Sequence, residues 1–216
     1  MALERELRDL AHVPRWSIAR LINNQSVAEH SFYVTVYARE LALLLGWRQD
    51  DAAAQEYLVT RALYHDAEES GSGDIPGPFK RAAVDGDRYE KVRQYYLTSR
   101  YGDRTYPRVN DLYTIEKEVT LILKLADTLE EVLFLAGEVQ MGNQAIVHIF
   151  KASHKSLASN YALLWHVLGD SGSITGDPLK VWDQIKTALV REESQCSKLI
   201  TDVSEYSATL SREPRP

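Results

Sequence analysis

A chain of 216 residues with 44% hydrophobic and 26% charged residues has an ordinary globular composition, and no linker divides it, so one domain with a sizeable core is expected. Its 25 Lys+Arg against 31 Asp+Glu give a formal net charge of −6, which argues against a broad nucleic-acid surface but leaves room for a basic pocket that holds one small anion. The single cysteine, Cys196, excludes an intramolecular disulfide, no apolar stretch approaches the ~20 residues that span a bilayer, and the amino terminus lacks the marks of a secretory signal, so a cytoplasmic protein is expected.

Hydrophobic spacing is helical nearly throughout, without sustained β-branched alternation, which predicts an all-α fold. A first helix is expected over about 2–22, interrupted near Pro14 and ended by Asn23-Asn24-Gln25. Ser26-Val27-Ala28-Glu29 has capping-box spacing and predicts a helix to about Leu45, with Tyr33, Val34, Tyr37, Leu41 and Leu44 on one face and His30 pointing inward with them. The next helix should start at Asp50 or Asp51 and reach about Glu69, its stripe of Ala54, Leu58 and Ala62 extended by His65 and Glu69. Gly71 through Pro78 combines glycines with two prolines and cannot continue a helix, so it is an ordered turn or a mobile lid. Further helices are expected over 80–98, about Thr114–Gln140 with Gly142-Asn143 as its end, 144–168 and 177–208, with a loop over 99–112. The domain would cover 1–208, followed by a polar tail over 209–216.

His65 and Asp66 stand side by side at the end of an apolar helical stretch, with His30 upstream and Asp127 downstream. Two imidazoles and two carboxylates suit one borderline divalent metal, and such a metal lowers the pKa of water toward neutrality, which makes hydrolysis the first function to consider. Each residue alone has a plainer reading. A lone histidine on an apolar face is more often packed core, and Asp127 could be a solvated edge residue beside Lys124 or an arginine's ion-pair partner. Glu69, four residues after His65, should lie one helical turn along the same face and could align water or pass a proton, or be a solvent-facing charge. Glu68 should face away, and Glu29 should be structural. Arg15-Trp16 pairs a multi-donor phosphate ligand with a flat packing surface, while Lys80 and Lys124 are weaker phosphate candidates with a surface alternative. His12, His148, His154 and His166 have no adjacent carboxylate and are set aside.

Taken in order, Arg15-Trp16, Ser26-Val27-Ala28-Glu29-His30-Ser31, His65-Asp66-Ala67-Glu68-Glu69, Gly73-Asp74-Ile75-Pro76-Gly77-Pro78-Phe79-Lys80 and Lys124-Leu125-Ala126-Asp127 resemble the HD-domain phosphohydrolases, and more closely the YfbR-like 5'-deoxynucleotidase branch. The resemblance implies a helical HD-domain bundle in which His30, His65, Asp66 and Asp127 bind one divalent transition metal (Co, Mn, Zn or Fe), so that His30 and Asp66 also face the substrate. It further implies that Glu69 assists catalysis, Arg15 orients the phosphate and Trp16 crowds the sugar's 2' position. Asp74, Ile75, Pro76 and Gly77 would line the nucleoside pocket, with Asp74 able to accept from the 3'-hydroxyl and Lys80 close by. Gly77 replaces a hydroxyl-bearing residue common among relatives, and Ser17-Ile18 replaces proline and leucine. The related phage dATP triphosphohydrolases carry an isoleucine at the position of Ile18, a lean toward adenine.

The reading is therefore metal-dependent hydrolysis of a deoxynucleotide phosphate ester. A 5'-monophosphate would yield deoxynucleoside and phosphate, and a triphosphate would instead release tripolyphosphate. A non-catalytic nucleotide-binding module and a helical interaction domain are the rivals from other classes. The expected partner is a small deoxynucleotide, with no nucleic-acid polymer and no membrane. The resembling enzymes also imply a homodimer, for which Leu164, Trp165, Trp182 and Ile185 could supply an apolar surface unless they close the monomer's own core.

Overall fold

The computed structural model describes residues 6–76, 91–92, 95–96, 99 and 112–190. Among these the chain is helical and contains no strand, only an isolated bridge between Pro14 and Ser26. After a 3-10 turn at Glu6–His12 come α1 (Val27–Leu44), α2 (Ala52–Leu63), the one-turn α3 (Glu69–Ser72), the long α4 (Leu112–Gln140), α5 (Val147–Ser171) and α6 (Pro178–Leu189). α4 is the axis: α1 and α5 pack along it most extensively, and α2 and α6 add to the same core. No described helix is long and apolar enough to cross a membrane.

The boundaries have local causes. Ser26 Oγ accepts from the Glu29 N–H at 3.2 Å while the Glu29 carboxylate accepts from the Ser26 N–H at 2.7 Å, so the capping box that opens α1 is complete. Asp51 caps α2 through the Ala54 N–H at 3.0 Å, and Asp177 caps α6 ahead of Pro178. α4 ends where Gly142 takes φ 93, and α5 ends on Gly172 at φ 71, a left-handed C-cap.

Three expectations are corrected. Residues 13–25 are not helical: Pro14 removes a donor, and the Arg15 N–H donates to Gln25 O (2.8 Å) while the Val27 N–H donates to Val13 O (2.9 Å), folding the segment back on itself. α2 stops at Leu63 rather than about Glu69, and the polar turn expected from Gly71 begins two residues later, at Gly73 with φ 72. On α1 the buried stripe is Val27, His30, Val34, Ala38 and Leu41, whereas Tyr33 and Leu44 are exposed, a one-position rotation of the expected face. The last described helix ends at Leu189 with Val190 as its cap, and most of the helix expected over 80–98, nearly all of the 99–112 loop, residues 191–208 of the helix expected over 177–208 and the tail lie outside the described residues.

α4 also buries three carboxylates that fasten other segments to it. Glu118 accepts from Trp47 Nε1 (2.9 Å), Arg48 Nε (2.6 Å) and Ser173 Oγ (2.5 Å). Glu138, 1% exposed, accepts from the Ile22 and Asn23 N–H groups (2.7 and 2.8 Å) and from Asn143 Nδ2 (2.7 Å), and so ties down the irregular 13–25 segment. Glu130 belongs to the site below. Replacing Glu138 by alanine strands two backbone donors and is expected to cost about 3 kcal/mol, read as a lower urea midpoint at unchanged slope.

Candidate metal centre and active site

Adjacent residues on an α-helix point about 100° apart, so His65 and Asp66 could not both face one ion from a regular helix. The break after Leu63 resolves this. Tyr64 through Glu68 run as turns, with the Ala67 N–H on Tyr64 O (3.2 Å) and the Glu69 N–H on Asp66 O (3.0 Å), and His65 Nδ1 donates to Ala62 O at 2.7 Å. With Nδ1 turned to that carbonyl, Nε2 is the ring nitrogen that faces the site, and loss of its proton leaves a lone pair for a metal.

Four donor atoms converge. His65 Nε2 lies 3.3 Å from His30 Nε2 and 3.1 Å from Asp66 Oδ2, and His30 Nε2 lies 3.6 Å from Asp66 Oδ2 and 3.3 Å from Asp127 Oδ1. Ligands about 2.1 Å from a common ion sit roughly 3.0–3.4 Å from one another, and three of these four separations fall in that range. One donor atom each of His30, His65 and Asp127 lies within 4.8 Å of the others, and Asp66 Oδ2 faces both histidines. His30 is fully buried and His65 is buried, while Asp66 and Asp127 keep 22% and 24% of their side chains exposed, which leaves the cluster an open side toward the cavity.

The electrostatics ask for a cation. Burial opposes charge on His65, but the neighbouring Asp66 carboxylate and then Asp127 outweigh it and push its pKa up to about 9. Burial likewise opposes charge on Asp66 and Asp127, and the facing histidines, with Lys124 beside Asp127, overcome it and hold both carboxyls well below the usual range. Without a metal, the positive charge is supplied by a proton on the imidazole.

Arg15 and Trp16 reach the same space from the irregular segment. Trp16 has φ 62, a left-handed conformation that costs a non-glycine residue roughly 1 kcal/mol, and its backbone N–H donates to Asp74 Oδ2 at 3.0 Å. Its ring stacks on Phe134 of α4, with centroids 6.4 Å apart and planes 10° from parallel. Burial opposes charge on Arg15, and Asp127, Asp66, Glu130 and Asp74 outweigh it, so the guanidinium is held firmly protonated; its buried Nη1 has no acceptor among the described residues. These groups open on a cavity of about 1020 Å³ lined by Arg15, Trp16, Ile18, Asp66, Glu69, Asp74, Ile75, Pro76, Lys124 and Asp127 and, on the far wall, by Thr128, Glu131, Ser153 and Asn160. A smaller groove of about 360 Å³ between α1, α4 and α6 holds one carboxylate, Glu40, and no histidine.

Glu69 is 3% exposed and lines the cavity, but it starts α3 rather than extending the α2 stripe. Glu68, expected to face solvent, is buried at 8% because the chain turns between it and α2. Ile18 is 75% exposed at the cavity lip, and Lys124 is exposed with Nζ 3.1 Å from Asp127 Oδ2. Gly77 and Lys80 lie outside the described residues. Leu164 and Ile185 are buried within the monomer, with Trp165 and Trp182 packed partly buried on its core. Sequence reasoning missed Glu130 and Gln25 behind His30, and the α5 wall where Ser153 Oγ donates to Glu131 and Asn160 Nδ2 to Thr128 Oγ1 (2.8 Å). Burial, with Asp127 adding and Ser153 opposing, raises the Glu131 carboxyl above its ordinary value.

Residues 4–163 match the family described as 5'-deoxynucleotidase YfbR-like. A 5'-deoxynucleotidase of Erwinia tasmaniensis is 30% identical over 159 residues, 70% of this chain and 80% of that protein. In overall fold the chain resembles an HD-domain phosphohydrolase from Listeria innocua (TM-score 0.61, 19% identity, 93% of this chain and 96% of that one). It also resembles a cyanophage S-2L HD phosphohydrolase bound to dA and one catalytic Zn2+ ion (TM-score 0.57, 19% identity, 89% and 99%).

A metal entering this cluster must displace the His65 proton at any pH below about 9. Its apparent affinity is therefore expected to rise by about tenfold per pH unit between pH 6 and 8, with proton release visible by titration calorimetry in buffers of different ionisation enthalpy. His65→Ala and Asp127→Ala are expected to abolish stoichiometric metal retention after dialysis.

Proposed function

Since the chain belongs to the YfbR-like 5'-deoxynucleotidase family of HD-domain phosphohydrolases, hydrolases that act on deoxynucleotides, we propose that its substrate is a 2'-deoxyribonucleoside 5'-monophosphate, cleaved to deoxynucleoside and orthophosphate. The observation that carries this reading is the buried Nη1 of Arg15, lacking an acceptor among the described residues, on a residue that lines one cavity with Asp66 and Asp127 of the His30, His65, Asp66 and Asp127 cluster. An unpaired buried donor is costly, and a phosphate oxygen is the acceptor that a guanidinium beside a metal-ligating cluster suits best.

His30, His65, Asp66 and Asp127 would hold a divalent metal, which would supply Lewis acidity toward the phosphate and acidify water. The remaining work falls to the chain. Arg15 binds the phosphate and offsets charge that develops as the bond from phosphorus to the 5'-oxygen breaks. Glu69, buried on the cavity wall, takes the proton of the attacking water and returns one to the leaving 5'-oxygen. Trp16, wedged between its Asp74 tether and the Phe134 ring, sets a rigid face against C2' of the sugar, where an added hydroxyl would be crowded. Asp74 uses Oδ2 for that tether and keeps Oδ1 for the sugar's 3'-hydroxyl.

A second reading is supported by Ile18, which stands exposed at the lip of a cavity roomy enough for a triphosphate rather than in the core. In that reading dATP is cut at the α-phosphate and tripolyphosphate leaves.

Chromatography of products from each dNMP, dNTP and ribonucleotide, with metal and with chelator, is expected to show deoxynucleoside and orthophosphate from dNMPs; tripolyphosphate restricted to dATP would install the second reading. Glu69→Ala is expected to lower kcat by about 10²–10⁴-fold while nucleotide binding survives, and unchanged turnover would remove its role. Asp74→Ala separates two functions. Loss of a 3'-hydroxyl contact alone would slow dNMP and NMP equally, since both sugars carry that group. Release of Trp16 is instead expected to lower the deoxy-to-ribo ratio of kcat/KM by about tenfold.

A further inference from the structure

Behind His30, on the side away from the cavity, lies a second pair of buried polar groups that the proposed reaction does not use. Glu130 of α4 is 3% exposed, and its Oε2 lies 2.5 Å from His30 Nδ1. A buried carboxylate at that distance from an imidazole nitrogen accepts a hydrogen bond from it, so Nδ1 carries the hydrogen and Nε2 is left to face Asp66, Asp127 and His65. The other oxygen of Glu130 accepts from Gln25 Nε2 at 2.6 Å, and Gln25 is itself 6% exposed. The backbone carbonyl of Gln25 in turn accepts from the backbone N–H of Arg15 at 2.8 Å. Gln25 thus holds Glu130, and through it the His30 ring, with its side chain, and the Arg15 segment with its backbone.

We propose that Glu130, held by Gln25, is a positioning residue that orients His30 for metal binding and ties the metal centre to the arginine that receives the phosphate. This rests on His30 being a metal ligand. His65 obtains its orientation from a backbone carbonyl one turn back, Ala62 O, which any sequence would supply. His30 sits inside the regular helix α1, and its Nδ1 is met instead by a side chain of the facing helix, a partner that the sequence itself must supply. A carboxylate in that place does more than a neutral acceptor, because its negative charge makes the imidazole a stronger ligand. Glu130 also lies among the carboxylates that hold Arg15 charged, so one group serves both sides of the site.

The test uses the full-length protein with zinc or manganese competed against a chromophoric chelator. Glu130→Gln keeps an acceptor for Nδ1, because Gln25 can turn its amide so that its oxygen, unpartnered among the described residues, receives the new N–H; only the charge is lost. Metal affinity is expected to fall by about tenfold in Glu130→Gln and about 100-fold in Glu130→Ala. Gln25→Ala removes the donor to Glu130 and keeps the backbone bond to Arg15, so it is expected to weaken metal by a few-fold. A structural contact alone would lower the melting temperature and leave the metal dissociation constant of the folded variants unchanged, and that result would overturn the inference. Nitrogen-edited NMR adds a readout independent of metal and substrate: a strongly downfield imidazole N–H is expected in the wild type, displaced in Glu130→Gln, and its absence from the folded wild type would also overturn the inference. Wild-type protein that binds no metal at all would remove the site reading itself. Metal binding without turnover of any nucleotide would leave this inference standing and remove only the substrate assignment.

Discussion

The buried carboxylates of α4 are the constraint on which the rest of the structure depends. Burying an ionised carboxylate costs several kcal/mol unless its oxygens are filled with donors, so Glu118, Glu130 and Glu138 each oblige some other part of the chain to come to α4. Glu118 draws in Trp47 and Arg48 after α1 and Ser173 after α5. Glu138 collects backbone N–H groups from the irregular segment that has no helix or strand to satisfy them. Glu130 takes the ring of His30. A helix with an otherwise apolar inner face thus fixes by charge what hydrophobic packing alone would leave free to slide. The three anchor points lie at the α1–α2 corner, the metal cluster and the loop bearing Arg15.

That arrangement also explains which parts of the protein were legible in the sequence. The Ser26 capping box, the Asp51 cap, the Gly142 stop and the helix-rich pattern are local signals, and the structure keeps them because the same few residues that carry the signal make the bonds. The gathering of His30, His65, Asp66 and Asp127 was legible through the order of motifs, since each sits in a short segment of distinctive composition. The end of α2 was not. The stripe of Ala54, Leu58 and Ala62 runs on in register to His65 and Glu69, and the break comes from a side chain, His65, capturing a carbonyl of its own helix. Periodicity continues through such a break without a mark. Residues 13–25 misled in the same way, because their apolar spacing suits a helix while Glu138, more than 100 positions away, satisfies them in another form. Glu130 and Gln25 carry no local signal at all, for a glutamate on a long helix and a glutamine in a polar run are unremarkable until the fold brings them together.

Charge then decides what the cavity can accept. Its wall carries Asp66, Glu69, Asp74, Asp127 and Glu131 against Arg15, Arg20 and Lys124. A phosphate monoester near neutral pH is a dianion, and a site with more carboxylates than cations would repel it. In the proposed reading a divalent ion among His30, His65, Asp66 and Asp127 would reverse that balance where the phosphate sits, so the cation would be a condition of substrate binding as well as of chemistry. The proton that His65 holds at neutral pH supplies a weaker form of the same charge, which means that metal-free protein is not a neutral version of the site but one already poised to exchange a proton for a metal. In the proposed reading the selective features lie elsewhere: Trp16 and Asp74 act on the sugar, while Ile18, Ile75 and Pro76 line the cavity with apolar surface. The proposed chemistry is thus tied through buried carboxylates to the centre of the fold, whereas the proposed discrimination between nucleotides rests on residues of two irregular segments joined by the Trp16–Asp74 hydrogen bond. Substitutions in those segments can change which nucleotide is taken while leaving the hydrolytic core intact, and the reverse change would have to disturb α4 itself.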